Sequence, residues 1–449
     1  MIIVDSALHA REEQGAPIRV GMVGAGFMGQ GLANQIANSV PGMRIVAVAN
    51  RHPDKAGHVL RYAGLDPVAV SSQNELEEAV RSGRPVFTDD PFLLCRSEQI
   101  DVICEITGNV DYAAAVVLEA FAHGKDVVLM NAEIDATIGP ILQAYADRQG
   151  VILSACDGDE PGLQLNLYRW VKGLGLEPRV IGNIKGLQDP YRTPTTQKGF
   201  AEQWGQTPSM VTSFADGSKI SFEQAIVANA TGFTVLARGM SRGLEYRDDV
   251  MAIGKLYDID QLRELGGVVD YVVGTPLTKV YILAEHSDPK QRHYLSLYKL
   301  GDGPLYSFFL PYHLPHFEVP NAIARVALFR DSVARPLGGP VVEVCAVAKR
   351  DLRAGETLDD YGMFMTYGEA VSVDEMSEQR YLPEGLVAEC RLIRDIAKDD
   401  VVTYGDVELP SGRLGDRLRA EQYAHFRGET WLAELLGMGV AAPADSSVM

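Results

Sequence analysis

Three carboxylates within four positions, Asp157, Asp159 and Glu160, stand in the stretch ACDGDEPG with no Lys, Arg or His among them. The stretch follows VILS, which reads as a short buried strand, and precedes PGLQLNLYRWV, which reads as a helix. Three kinds of chemistry suit such a group. One or two of the acids can cap the helix, since Pro161 fits its first turn. Two can ligate a divalent metal. One alone can serve as a general base or anchor a substrate hydroxyl, and Gly158 between two acids argues for a fixed loop. One helix further on, Lys185 interrupts the apolar strand GNIKGL, where an unpaired ammonium is costly to bury. A lysine there should face a cleft or a carboxylate and can polarise a carbonyl or transfer a proton. A strand-edge lysine with its head in solvent is the plain alternative. The leading expectation pairs one acid of 157–160 with Lys185 in a hydride-transfer site.

Other residues offer binding rather than bond-making. The polar segment DPYRTPTTQK brings Asp189, Arg192 and Lys198 together with three threonines, which suits a phosphate or carboxylate on a small substrate, or simply a solvated loop. Ser218-Lys219 at the start of a helix is a second anion-site candidate. His313 and His316 give H-x-x-H without further ligands at zinc-like spacing, so a packed or pocket-lining pair is expected.

These residues need a scaffold, and the N-terminal part supplies one. IRVGMV reads as an apolar strand, Gly24, Gly26 and Gly29 form G-x-G-x-x-G, and Leu32, Ala33, Ile36 and Ala37 mark one face of a helix. Gly24 permits a tight turn, Gly26 lets a pyrophosphate approach the backbone, and Gly29 lets helix and strand pack closely. Phe27 and Met28 lie within the same turn, at a helix N-terminus that offers free N–H groups to phosphate. A second strand, MRIVAVAN, completes a βαβ unit and ends in Asn50-Arg51-His52 with no acid at its tip. That favours NADP(H) over NAD, because Arg51 can accept a 2′-phosphate; an ordinary surface arginine is the alternative. Further strand–helix alternation through IDVICEIT, DVVLMNAE and VILSACDGD argues for a parallel, doubly wound sheet. Ligands bind such sheets at the carboxyl ends of the strands, so the loops at 24–29, 107–109, 131–133 and 157–160 should converge. Thr107, Gly108 and Asn131 thereby join the expected coenzyme residues.

Beyond the sheet, the chain changes character. We expect a Rossmann domain over 15–165, an α+β substrate and oligomerisation domain over 166–336, a small mostly-β domain over 337–425 and a tail over 426–449. The third region carries a weak internal repeat, KRDLRAGETLDDYG against IRDIAKDDVVTYGD, 44 residues apart. The formal net charge of -19, from 60 acidic and 41 basic residues, argues against a nucleic-acid partner. Five scattered cysteines without a C-x-x-C pair read as reduced thiols. With no apolar run of membrane length and no signal-peptide pattern at the start, a soluble, cytoplasmic protein that does not engage membranes is expected.

VGMVGAGFMG, the Glu105-Ile-Thr-Gly-Asn loop, Asn131-Ala-Glu, the acidic loop and Asn183-Ile-Lys-Gly together resemble a homoserine dehydrogenase-type oxidoreductase. SFADGSKISFEQAIVANATG, YHLPHFEVP and the C-terminal SAF-like module resemble more closely the 1-deoxy-D-xylulose-5-phosphate reductoisomerase-like (DRL) oxidoreductases, over roughly residues 15 to 425. The resemblance implies NADPH, a ketose phosphate whose skeleton rearranges to an aldehyde, and reduction of that aldehyde to an isoprenoid precursor. Asp157, Asp159, Glu160 and Lys185 would then polarise oxygens and move protons, and Asp189, Arg192, Lys198, Ser218 and Lys219 would hold the substrate. The region matching 157–160 is Gly-rich in homoserine dehydrogenases, which counts against homoserine itself. Reductoisomerases proper use a divalent metal, but no complete ligand set is identifiable in the sequence. Two rivals stand beside this reading: a dehydrogenase of homoserine or another small hydroxylated substrate, and a non-catalytic NADP(H)- and sugar-binding sensor. A homo-oligomer, dimer or tetramer, is expected.

Overall fold

The computed structural model describes residues 3–274 and 279–438. Its first sheet holds seven strands: β1 (Ile18–Val23), β2 (Met43–Ala49), β3 (Val68–Ala69), β4 (Val86–Thr88), β5 (Val102–Glu105), β6 (Asp126–Leu129) and β7 (Leu153–Ala155). They are all parallel, in the order β3-β4-β2-β1-β5-β6-β7. The strands read as nearly unbroken Val, Ile, Ala and Cys because helices cover both faces. Between β1 and β5 the order reverses, and this switch point opens the crevice just beyond Val23 and Glu105. The expected doubly wound α/β domain is present. It also takes in the helix Asp5–Glu13, whose Leu8 joins the apolar cluster under β1 and β2, ahead of the expected start at residue 15.

The middle region is α+β. Its sheet runs β11 (Tyr306–Leu310), β10 (Lys279–Glu285), β8 (Glu177–Lys185) and β9 (Val268–Val273), with β8 and β9 parallel and the other pairs antiparallel. The helices Glu160–Gly173 and Ser218–Thr231 cover one face through Leu165, Phe222 and Ile226. The Glu160 helix therefore starts at the edge of the first sheet and ends on the second, so the boundary expected at 165 falls inside one helix.

The third region pairs β12 (Val342–Ala348) with β13 (Thr366–Ser372) and β14 (Arg391–Leu392) with β15 (Val407–Glu408). The two repeat copies pack against each other about a pseudo-twofold axis. Leu352 and Ile396, equivalent positions, exchange backbone hydrogen bonds. Asp351 accepts from Lys398 N, and its counterpart Asp395 accepts from Ala354 N. The repeat thus builds one unit, because each copy supplies backbone partners to the other. The helix Leu414–Arg427 then returns to the first domain. Its Gln422 accepts from Ile141 N and donates to Thr137 O, beside Pro140 inside the helix Ala132–Gln149.

Candidate active site

The glycine turn has the shape a dinucleotide needs. Gly24 has φ +119°, and a Cβ there would lie 2.8 Å from Ile106 O. A Cβ on Gly29 would lie 2.9 Å from Gly24 O, whereas one on Gly26 would meet nothing within 4 Å. The first and third glycines serve close packing, and the second leaves an open cradle at the N-terminus of the helix Phe27–Ser39, which no side chain caps. Across the switch point, Glu105 organises the neighbouring loops. It accepts from Thr107 N at 2.8 Å and from the Thr107 hydroxyl, and its other oxygen accepts from Asn131 Nδ2 at 2.8 Å. Burial pushes its carboxyl up to about 7. Tyr361 of the third region donates to Gly108 O at 2.8 Å, so the C-terminal module touches the loop after β5. Asn50 accepts from His52 N, and Arg51 is exposed at the tip of β2.

The acidic loop and Lys185 do meet. Gly158 lies so close to the Leu314 and Pro315 carbonyls that it has no room for a side chain, which fixes the loop. Glu160 lies 2.6 Å from Lys185 Nζ, and Glu223, from the Ser218 helix, lies 3.2 Å from the same nitrogen. Lys219, one turn before Glu223, is 3.1 Å from Glu133. His313 Nε2 stands 3.9 Å from Glu160. Burial alone would neutralise Glu160, but the Lys185 and His313 charges outweigh it and hold its carboxyl well below the usual range. Burial also opposes the Lys185 ammonium, and Glu160 and Glu223 more than compensate, so Lys185 keeps its proton more firmly than an ordinary lysine. Burial and the Glu160 charge push Glu223 well up. Burial, then Glu160, raises Asp159 to about 6. The cluster thus combines a fixed cation, an acid held ionised by its cationic neighbours and an acid whose proton is held more firmly than an ordinary carboxyl's.

Several expected residues do other work. Asp157 is buried away from Lys185: it accepts from Asn166 at 2.6 Å and from Arg325 at 3.1 Å, and Arg325 is itself held by Asp331 at 2.7 Å. Its place is beneath the loop, as an anchor. Ser218 and Lys219 do not form an anion site. The start of their helix is filled by Asp216, which accepts from Ser218 N and pairs with the buried Lys349, while Ser218 Oγ accepts from Gly368 N. Lys219 instead joins the cluster through Glu133. Asp189 and Arg192 pair with each other, and Lys198 pairs with Glu202 on an exposed helix face. Among the described residues no hydrogen bond or ion pair joins these three to the cluster, because each charge already has a neighbour a few positions away. His316 packs against Gly31, as a packed histidine should.

Sequence reasoning missed Glu223, Glu133 and Arg325. A signal for the first was present: Lys219 and Glu223 are four apart on one face of a helix whose other residues are mostly small or apolar. For a divalent cation, Asp159, Glu160 and Glu223 each offer an oxygen within 4.8 Å of the others. This all-oxygen set suits a hard cation.

A doubly wound parallel sheet, a pyrophosphate-shaped glycine turn at its switch point and a lysine–carboxylate cluster at its carboxyl edge define an α/β oxidoreductase architecture. Residues 24–153 match the family model for the homoserine dehydrogenase NAD binding domain, and residues 158–319 match that for the catalytic domain of oxidoreductase DRL. The chain is thus similar to an NAD-binding domain over its first third and to an oxidoreductase catalytic domain over the next. Homoserine dehydrogenase of Neisseria gonorrhoeae is 29% identical over 140 residues, covering 30% of this chain and 28% of its own length. That of Methylobacillus glycogenes is 32% identical over 172 residues, covering 35% and 38%. The chain therefore spans well under half the length of these curated relatives. Among solved structures, apo scyllo-inositol dehydrogenase from Lactobacillus casei is 12% identical, with a TM-score of 0.42, covering 71% of this chain and 90% of its own. No helix among the described residues is long and apolar enough to cross a membrane.

Proposed function

We propose that this protein is an NADPH-dependent reductoisomerase-type oxidoreductase. Its substrate would be a small phosphorylated sugar, 1-deoxy-D-xylulose 5-phosphate, which rearranges to an aldehyde and is reduced to 2-C-methyl-D-erythritol 4-phosphate. The observation that carries this reading is the Lys185 ammonium held between Glu160 and Glu223 beside Asp159, at the carboxyl edge of the coenzyme sheet. NADPH over NADH rests on Arg51 and the missing acid at the tip of β2.

The bound coenzyme supplies the hydride. Lys185, which keeps its proton, hydrogen-bonds the carbonyl oxygen and stabilises the negative charge that gathers there as the carbonyl electron pair moves onto it. Glu223, whose carboxyl is pushed well up by burial and the Glu160 charge, gives its proton to that oxygen and completes the alcohol. In the preceding rearrangement Asp159, ionised above about 6, accepts a proton from a substrate hydroxyl. A divalent cation, if required, would be held by Asp159, Glu160 and Glu223 and would polarise adjacent substrate oxygens. A homo-oligomer in the cytoplasm belongs to the same proposal.

A homoserine dehydrogenase-like activity is the second reading, favoured by the match of residues 24–153 and by the curated relatives. The four-carboxylate cluster speaks for the polyhydroxylated substrate. NADPH oxidation by the purified protein with 1-deoxy-D-xylulose 5-phosphate, beside aspartate semialdehyde, separates the two. Turnover of the sugar phosphate supports the proposal, and turnover of the semialdehyde alone reverses it.

A further inference from the structure

A separate polar cavity of about 270 Å³ opens between the middle sheet and the third region. It lies across the Ser218 helix from the acid–lysine cluster. Ser221, which lines it, is two positions from both Lys219 and Glu223, and so points about 200° around the helix from each. The walls carry charge at two places. At one, Arg238 lies 2.9 Å and Arg242 3.4 Å from the same carboxylate, Glu369. Two guanidiniums sharing one carboxylate leave a unit of positive charge and unused N–H donors. At the other, Asp399 accepts from the Tyr191 hydroxyl at 3.0 Å, with the Tyr367 hydroxyl at 3.5 Å. The Lys398 ammonium sits 3.5 Å from the Tyr191 ring centroid and offsets the Asp399 charge.

The backbone gives the second observation. Arg242 (φ 48°) and Asp399 (φ 69°) both line the cavity in the left-handed region, which non-glycine residues adopt at a cost. The internal repeat shows that this cost is avoidable. Asp399 is the counterpart of Gly355 (φ 89°). Gly355 N donates to Leu392 O, and Asp399 N donates to Ala348 O, the equivalent carbonyl. One fold position is therefore filled by glycine in one copy and by aspartate in the copy that lines this cavity.

We propose that this cavity binds a small hydroxylated anion, with its phosphate or carboxylate on Arg238 and Arg242 and its hydroxyls on Asp399 and the tyrosines. The site is distinct from the Lys185 cluster. Isothermal titration of the full chain with ribose 5-phosphate, gluconate and inorganic phosphate tests it. Saturable binding of either hydroxylated probe is expected, at one per chain, weakened roughly tenfold or more in Arg242→Ala and in Asp399→Gly and retained in Lys185→Ala. Binding of ribose 5-phosphate alone assigns the anionic group as phosphate, and binding of gluconate alone assigns it as carboxylate. Asp399→Gly copies Gly355, so it should keep the fold and the melting temperature while losing affinity. Three results overturn the proposal: no saturable binding of either hydroxylated probe, affinity unchanged in Asp399→Gly, or binding lost in Lys185→Ala.

Discussion

The glycine turn after β1 and the acid–lysine cluster beyond β7 share one edge of one sheet but are built by opposite means. The turn is local: Gly24, Gly26 and Gly29 and the helix they open lie within a few residues, and the backbone itself makes the binding surface. The cluster draws Glu133, Asp159, Glu160, Lys185, Lys219 and Glu223 from four separate elements, and Arg325 holds its base from further still. Backbone N–H groups can bind a pyrophosphate that every dinucleotide presents. Side chains from distant segments can be set at chosen protonation states, which substrate chemistry requires. In the proposed function, one edge therefore serves a common coenzyme at one end and a particular substrate at the other.

The sharpest way to break the cluster without touching the turn is to remove its foundation. Arg325→Met leaves Asp157 buried and unpaired, and an expected loss of about 3–5 kcal/mol in denaturant unfolding follows from stranding a charge. Glu223→Gln removes the proton donor and is expected to lower kcat by ~10²-fold or more, with the NADPH dissociation constant unmoved in a fluorescence titration. Gly24→Ala does the reverse: its Cβ meets Ile106 O, and coenzyme affinity should fall by roughly tenfold. The smallest effect concerns the helix beside the cluster. Burial raises Asp135 to about 7, above the ordinary aspartate value of 3.8. A raised acid favours the fold fully below its unfolded pKa and loses that contribution as pH rises through the folded value. Asp135→Asn should therefore flatten the fall in melting temperature between about pH 4 and pH 7, read by calorimetry; an unchanged slope contradicts the assignment.

What the sequence made legible follows the same division. The turn and the parallel sheet could be read because their signals are short-range: glycine spacing, apolar runs and strand–helix alternation. Lys185 was legible because a charge in the apolar strand GNIKGL needs a partner, and Glu160 was legible as that partner's type. Asp157 misled because its partner Arg325 lies 168 positions away. Glu223 was hidden in a helix whose burial comes from packing rather than from its own pattern. Asp189, Arg192 and Lys198 were expected at a substrate, but the two cations are paired by acids three or four positions away, Asp189 and Glu202.

The most direct test of the account is Lys185→Ala assayed for turnover and coenzyme binding on one preparation. Turnover should fall by ~10²-fold or more while NADPH binds as tightly as to the parent. Turnover within about twofold of the parent, with coenzyme binding intact, would contradict the assignment of the Lys185 cluster as the active site.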